Sequence, residues 1–172
     1  NEGWDERFCG MENSVPQYAW DKAVVDAGMA WIKKAQESDA PWFAWIHLMD
    51  PHSEYNPSPD FWDYEKSPVR PKTPQLRFFS GFEETRDAPP PPVLKRLDAL
   101  YAAEVKGADQ QLGRFLDFLD ALPGNEDVAL IFGADHGEEL YETWHRIGHG
   151  FSMTEGVLKV PLMIRAGGVS PG

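Results

Sequence analysis

One cysteine in 172 residues removes two chemistries at the outset. Cys9 has no second thiol for an internal disulfide, and a zinc site built on several thiolates is excluded. Its surroundings, RFCGMEN, hold no residue that marks it as a nucleophile, so Cys9 reads as a small, half-buried side chain. Long apolar runs are missing as well: nothing approaches the roughly 18 consecutive apolar residues of a membrane helix. Basic residues are few, 16 Lys and Arg against 28 Asp and Glu, for a formal net charge of -12. That balance argues against a nucleic-acid partner, which needs a basic footprint, and against an anionic membrane surface. An anionic small molecule stays open, because a bound cation can supply local positive charge. There is no signal peptide and no initiator Met. The chain starts NEGWDERF and stops at GGVSPG directly after an apolar run, and both ends read as cut rather than natural.

What is present is the composition of a folded domain, 42% hydrophobic and 13% aromatic, in a chain long enough for a real core. Residues 1–15 are loop-like, and Pro16 can occupy the first turn of a helix. From there Trp20, Val24, Ala27 and Trp31 recur at helical spacing with Asp21, Lys22, Lys33 and Lys34 interleaved, fading near Ser38 and Asp39. Trp42 to Met49 is a continuous apolar run, as in a parallel strand covered on both faces, with His47 a hydrogen-bonded core histidine. Residues 93–122 form the clearest helix. Its stripe is Leu97, Tyr101, Val105, Ala108, Leu112, Phe115, Leu116 and Leu119, with Glu104 and Asp109 on the solvated face, and Pro123-Gly124 ends it. Val128 to Phe132 and Val160 to Ile164 read as further strands. Alternating strands and helices predict an α/β domain around a mostly parallel sheet flanked by helices.

In open α/β sheets ligands bind outside the carboxyl ends of the strands. Asp135 and His136 stand there, just past the run that Gly133 breaks. An adjacent carboxylate and imidazole can hold a divalent cation or move a proton; a helix cap with a hydrogen-bonded histidine is the bland reading. The run at 42–49 ends in Asp50-Pro51-His52, which places His52 at the same edge if the strands run parallel. His149 stands between two glycines in GHG. Residues 53–92 keep no period and carry Phe61, Trp62, Tyr64, Phe78, Phe79 and Phe82. Such a loop directly after His52 reads as a lid that shapes substrate choice, or as a segment its aromatics pin to the body.

These motifs resemble the type I sulfatases of the alkaline phosphatase superfamily. LIFGADHGEELYETWHRIGHGFSMTEGVLKVPLMIR is similar to their SDHGE block, WGHG and VPLIIR strand, and PWFAWIHLMDPHSEY to their strand ending in DPH and a Tyr. LDALYAAEVKGADQQLGRFLDFL looks like their LYxAEVxxxDxxxGRLL helix, and GWDERFCG like the GFD-type loop before these elements. The resemblance implies a large α/β sandwich and a divalent cation, usually calcium with magnesium as the alternative, held in part by Asp135 and His136. It implies that His52 lies near the sulfate as proton donor to the leaving oxygen and that His149 binds the sulfate. Asp50 and Glu138 take structural and supporting hydrogen-bond roles, and His145 and Arg146 stand at the rim. The family's nucleophile is a formylglycine made from Cys or Ser in Cys/Ser-x-Pro-x-Arg; its hydrate attacks sulfur, the alcohol departs, and a base then expels sulfate.

Cys-x-Pro-x-Arg is absent here, since Gly10-Met11 follow Cys9, and the early Asp pair and the Lys-x-His region are absent too. The expectation is therefore the C-terminal portion of a sulfatase catalytic domain, residues 1–172, with the nucleophile segment upstream, the C-terminal subdomain absent and no turnover by this chain alone. The resemblance implies a small-molecule or carbohydrate sulfate ester as the substrate of the parent protein; family members are often periplasmic, secreted or lysosomal, and the sequence itself carries no signal that chooses a compartment. Two other readings stand beside it. One is a phosphonate monoester hydrolase, phosphodiesterase or phosphoethanolamine transferase of the same superfamily, since sulfate and phosphate esters are both tetrahedral oxyanions. The other is a non-catalytic binding domain with a vestigial site.

Overall fold

In the computed structural model, which describes residues 17–38, 40–52, 55–66, 89–142, 147–150 and 153–169, a 3-10 turn at Gln17–Ala19 leads into helix α1, Trp20–Ala35. The chain divides into two units, Asn1–Val69 with Leu100–Leu119 and Arg70–Ala99 with Asp120–Gly172. Cys9, the loop at 1–15, Pro16, the aromatics Phe78, Phe79 and Phe82, and the rim residues His145 and Arg146 lie outside the described residues.

In the first unit α1 buries Asp21, Val25 and Ile32, while Trp20, Val24, Ala27 and Trp31 are half-buried. The buried face is thus turned about one residue from the expected stripe, so that an interleaved charge becomes a core residue. The reason is a pair of hydrogen bonds: the Asp21 carboxylate accepts the backbone N–H of Met49 at 2.7 Å and of Asp50 at 3.2 Å. Gly28 lets the following segment come close, since a Cβ there would sit 2.7 Å from Cδ1 of Ile46.

That segment, residues 41–49, has no regular secondary structure and joins no ladder among the described residues, which corrects the expectation of a buried strand. Trp42, Ala44, Ile46 and Leu48 are half-buried while Phe43, Trp45 and His47 are exposed, the two-residue alternation of a backbone covered on one face. His47 is therefore not a core histidine; it shares the open face with Phe43 and Trp45, which are 67% and 70% exposed. The Asp50–Pro51 peptide is cis, and the N–H of His52 donates to the Met49 carbonyl at 2.8 Å to close the turn.

Residues 55–66 are held by polar contacts rather than by regular structure. The Asn56 N–H donates to the Glu104 carboxylate, the Tyr64 hydroxyl donates to the Pro57 carbonyl and meets Asn56 Oδ1 at 2.9 Å, and the Tyr55 ring stands edge-on to Tyr101 at 5.7 Å. The remainder of the expected lid, residues 53, 54 and 67–88, lies outside the described residues.

Helix α2, Pro91–Asp120, begins inside the proline run, as proline allows in a first turn, and supplies residues to both units. Its buried positions include Leu97, Leu100, Ala103, Gly107, Gln111 and Leu119, with Val105 exposed. Glu104, expected on the solvated face, is only 1% exposed because it accepts the Asn56 N–H; Asp109 is exposed as expected. Within the first unit α1 and α2 are joined by Arg114 to Asp26 at 2.5 Å and by the Lys33 ammonium 5.6 Å above the Phe118 ring. Gly124, with φ 72, follows the helix end in the left-handed conformation that glycine adopts readily.

In the second unit strand β1, Leu130–Gly133, pairs with β4, Leu162–Arg165, in antiparallel register from Leu130 opposite Arg165 to Gly133 opposite Leu162. Strands β2, Glu139–Leu140, and β3, Ile147–Gly148, form a second antiparallel ladder, and a four-residue helix α3, Glu155–Leu158, precedes β4. The described residues thus hold helices and two small antiparallel ladders, not the mostly parallel sheet expected. Parallel neighbours need a crossover, usually a helix of a dozen residues or more. The connection from β1 to β4 carries instead the β2–β3 ladder and the short α3, and the chain returns antiparallel. Arg165 and Asp120, 2.5 Å apart, tie β4 to the end of α2.

Candidate functional site

Strand β1 delivers Asp135 and His136 past its carboxyl end, where Gly133 closes the ladder. The turn that follows is locked by close backbone approach. The Gly137 N–H donates to the Val157 carbonyl at 2.7 Å, and a Cβ at Gly137 would collide with the carbonyl oxygen of Gly156. One turn further on, Thr154 donates its hydroxyl to the Glu139 carboxylate, which is buried to 1% exposure. Together these contacts fix α3 against the Asp135–Glu139 turn.

The β2–β3 ladder then returns the chain so that His149 lies beside His136. Their rings stack at 3.9 Å with 29° between planes. His149 sits between Gly148, φ 107, and Gly150, φ 85, both in a region that side chains other than glycine rarely enter. The GHG pattern is therefore a backbone requirement as much as a chemical one. Tyr141 has φ 86 without being glycine, a strained conformation at the exit of β2.

Each imidazole is anchored through Nδ1. His136 Nδ1 is 2.8 Å from the Gly137 carbonyl oxygen, and His149 Nδ1 is 2.9 Å from Glu138 Oε1. A carbonyl oxygen only accepts, so His136 donates from Nδ1 and its neutral ring carries the lone pair on Nε2. That nitrogen lies 3.8 Å from Oδ1 of Asp135, and the side chains are 34% and 76% exposed respectively. An imidazole whose second nitrogen donates to a backbone carbonyl is the usual arrangement of a metal-ligating histidine. Asp135 and His136 thus fit a divalent cation as two of its ligands. Among the described residues no group of three or more His, Cys, Asp or Glu comes together as a complete site.

His52 belongs to the first unit, exposed at the turn after Asp50–Pro51. Beside it, burial and then the neighbouring Asp21 carboxylate push the Asp50 carboxyl up to about 7. Burial also raises Asp21, against the pull of the Met49 and Asp50 N–H groups. Asp21 as the anchor of the His52 turn escaped the sequence reading, because a single Asp inside an amphipathic helix carries no signal of its partner. The stack of His136 on His149 escaped it too; only the paired glycines around His149 hint that its backbone is special.

A model of the sulfatase family matches residues 1–172. The chain belongs to the sulfatase family. It is 30% identical over 190 aligned positions to arylsulfatase K of Xenopus laevis, covering 96% of this chain and 35% of that protein. It is 28% identical over 155 residues to a choline-sulfatase of Rhizobium meliloti, covering 79% of this chain and 28% of that protein. An arylsulfatase of Clostridium perfringens is 25% identical over 172 residues, covering 94% of this chain and 34% of that protein. The chain spans about a third of the length of the curated relatives it matches. Sulfatase membership implies the alkaline phosphatase-like α/β fold, of which the described residues hold helices and the two antiparallel ladders. Among the described residues no helix is long and apolar enough to cross a membrane.

Proposed function

We propose that this chain is the part of a sulfatase catalytic domain that carries half of the cation site and the sulfate-contacting histidines, within a longer protein that hydrolyses a sulfate monoester. In this reading Asp135 and His136 are two ligands of a divalent cation, calcium by the oxygen-rich chemistry of the family or magnesium. His149 contacts the sulfate, and His52 donates a proton to the leaving oxygen. The cation, when bound, polarises the ester oxygens and offsets the negative charge that an acidic protein would otherwise set against an anion. The formylglycine that starts the reaction in sulfatases belongs to a Cys/Ser-x-Pro-x-Arg motif that these 172 residues do not contain. The observation that supports the reading most is the His136–His149 stack beside Asp135, with both rings anchored through Nδ1.

Calorimetric titration of the chain with calcium, then with inorganic sulfate and inorganic phosphate in its presence, tests this. Calcium binding that is lost in Asp135→Ala, and sulfate binding that is lost in His149→Ala, are the expected results. A chain that takes up no calcium or magnesium returns the domain to the non-catalytic reading, and a preference for phosphate over sulfate moves it to the phosphoryl-transfer branch of the superfamily. Isolated, the chain is expected to show no turnover of an aryl sulfate.

A further inference from the structure

Glu138 sits behind His149 in a manner that its place in the motif does not require. Its side chain is withdrawn from solvent to 6% exposure, yet its Oε1 lies 2.9 Å from Nδ1 of His149, whose own side chain is 26% exposed. A carboxylate removed from water to that degree is stabilised by the donors it meets, and an imidazole N–H is one. His136 meets the same ring by stacking at 3.9 Å. Gly148 and Gly150 shape the turn that carries His149, but rotation about its side-chain bonds is set by what the ring touches.

We propose that Glu138 is a positioning residue for His149: it accepts the Nδ1 proton and so fixes both the plane of the ring and the tautomer whose lone pair lies on Nε2. The functional consequence rests on the sulfate-site reading above; the pairing does not. With Nδ1 committed to Glu138, Nε2 is the nitrogen left to exchange a hydrogen bond with a bound oxyanion. His136 repeats the arrangement with a backbone carbonyl in place of the carboxylate, so the two stacked rings are oriented alike by different means. The division is informative. A carbonyl acceptor supplies orientation alone, whereas a carboxylate also supplies charge, and the carboxylate stands behind the histidine assigned to the anion rather than behind the one assigned to the cation.

Long-range proton–nitrogen NMR of the nitrogen-15-labelled chain, at a pH where the rings are neutral, reads each tautomer directly. In the wild-type protein the downfield signal of an unprotonated ring nitrogen is expected at Nε2 of His149. In Glu138→Ala it is expected to move to Nδ1, and in Glu138→Gln, whose side-chain oxygen still accepts, to stay at Nε2. His136, held by the Gly137 carbonyl, reports in the same spectra that the turn is intact. A wild-type His149 with its proton on Nε2 overturns the proposal whether or not the variants fold. So does a Glu138→Ala spectrum in which both histidines are unchanged. Inorganic sulfate added to the wild-type sample separates the two readings. The expected tautomer without any response of His149 to sulfate supports the pairing and counts against the sulfate site alone.

Discussion

The Asp50 carboxyl offers a quantitative test of how the His52 turn is held. It is half-buried, with Oδ2 3.5 Å from where a methyl group on Gly107 would lie, and it follows directly on the backbone that Asp21 grips. Burial first, and the Asp21 carboxylate second, raise it from 3.8 to about 7. Between those values the native chain keeps a proton that the unfolded chain has released, so stability falls as pH rises through that window and the loss is complete above the folded value. At about 1.4 kcal/mol per pH unit, a displacement of about 3 gives about 4 kcal/mol; partial access to water at this carboxyl reduces the expected effect to about 2 kcal/mol. Asp50→Asn imitates the protonated acid and removes the ionisation. In urea unfolding followed by tryptophan fluorescence, the wild-type chain is expected to lose about 2 kcal/mol more than the variant between pH 4 and pH 8. The variant is expected to be the more stable of the two at the upper end. The difference between the two pH profiles reports position 50 together with its coupling to Asp21. Superimposable profiles would refute the placement of Asp50 beside a buried, charged Asp21.

Three further outcomes follow from contacts elsewhere. Gly137→Ala drives a methyl group into the Gly156 carbonyl, which no rotamer relieves, and is expected to cost about 3 kcal/mol or more in the same unfolding assay. Glu104→Ala removes the acceptor of the Asn56 N–H and is expected to cost about 1–3 kcal/mol, with Glu104→Gln recovering much of it through its remaining carbonyl oxygen. Asp135→Ala and His136→Ala are each expected to weaken calcium binding by about tenfold or more; Asp135→Ala leaves the urea midpoint of the metal-free chain nearly unchanged because its side chain is 76% exposed, whereas His136→Ala lowers it by removing the bond to the Gly137 carbonyl and the stack on His149.

The two long helices were legible because a sustained 3.6-residue period survives many substitutions, and the ends of α2 were marked by the prolines before it and Pro123-Gly124 after it. Their rotation was not. Turning charged residues outward is a good rule, and Asp21 and Glu104 break it because each meets backbone N–H groups from a loop distant in sequence. The apolar run at 42–49 reads as a strand covered on both faces, yet its burial alternates; composition records how apolar a strand is, not whether anything lies on its second face. Strand direction was equally hidden, since periodicity is the same for parallel and antiparallel pairing. At the site, Asp135 and His136 were legible from position, an apolar run followed by a glycine. Their neighbour His149 was legible only as a motif, because what brings it to His136 is a ladder two residues long on each side.

Among the described residues, buried acids hold several of the loops. Asp21 receives the backbone before His52, Glu104 receives Asn56 after it, Glu139 receives Thr154 at the start of α3, and Glu138 receives the His149 ring. Each carboxylate lies at or near full burial, and a loop N–H, a hydroxyl or an imidazole nitrogen at hydrogen-bond distance offsets part of the cost of taking it out of water. Part of the net charge of -12 is thus structural.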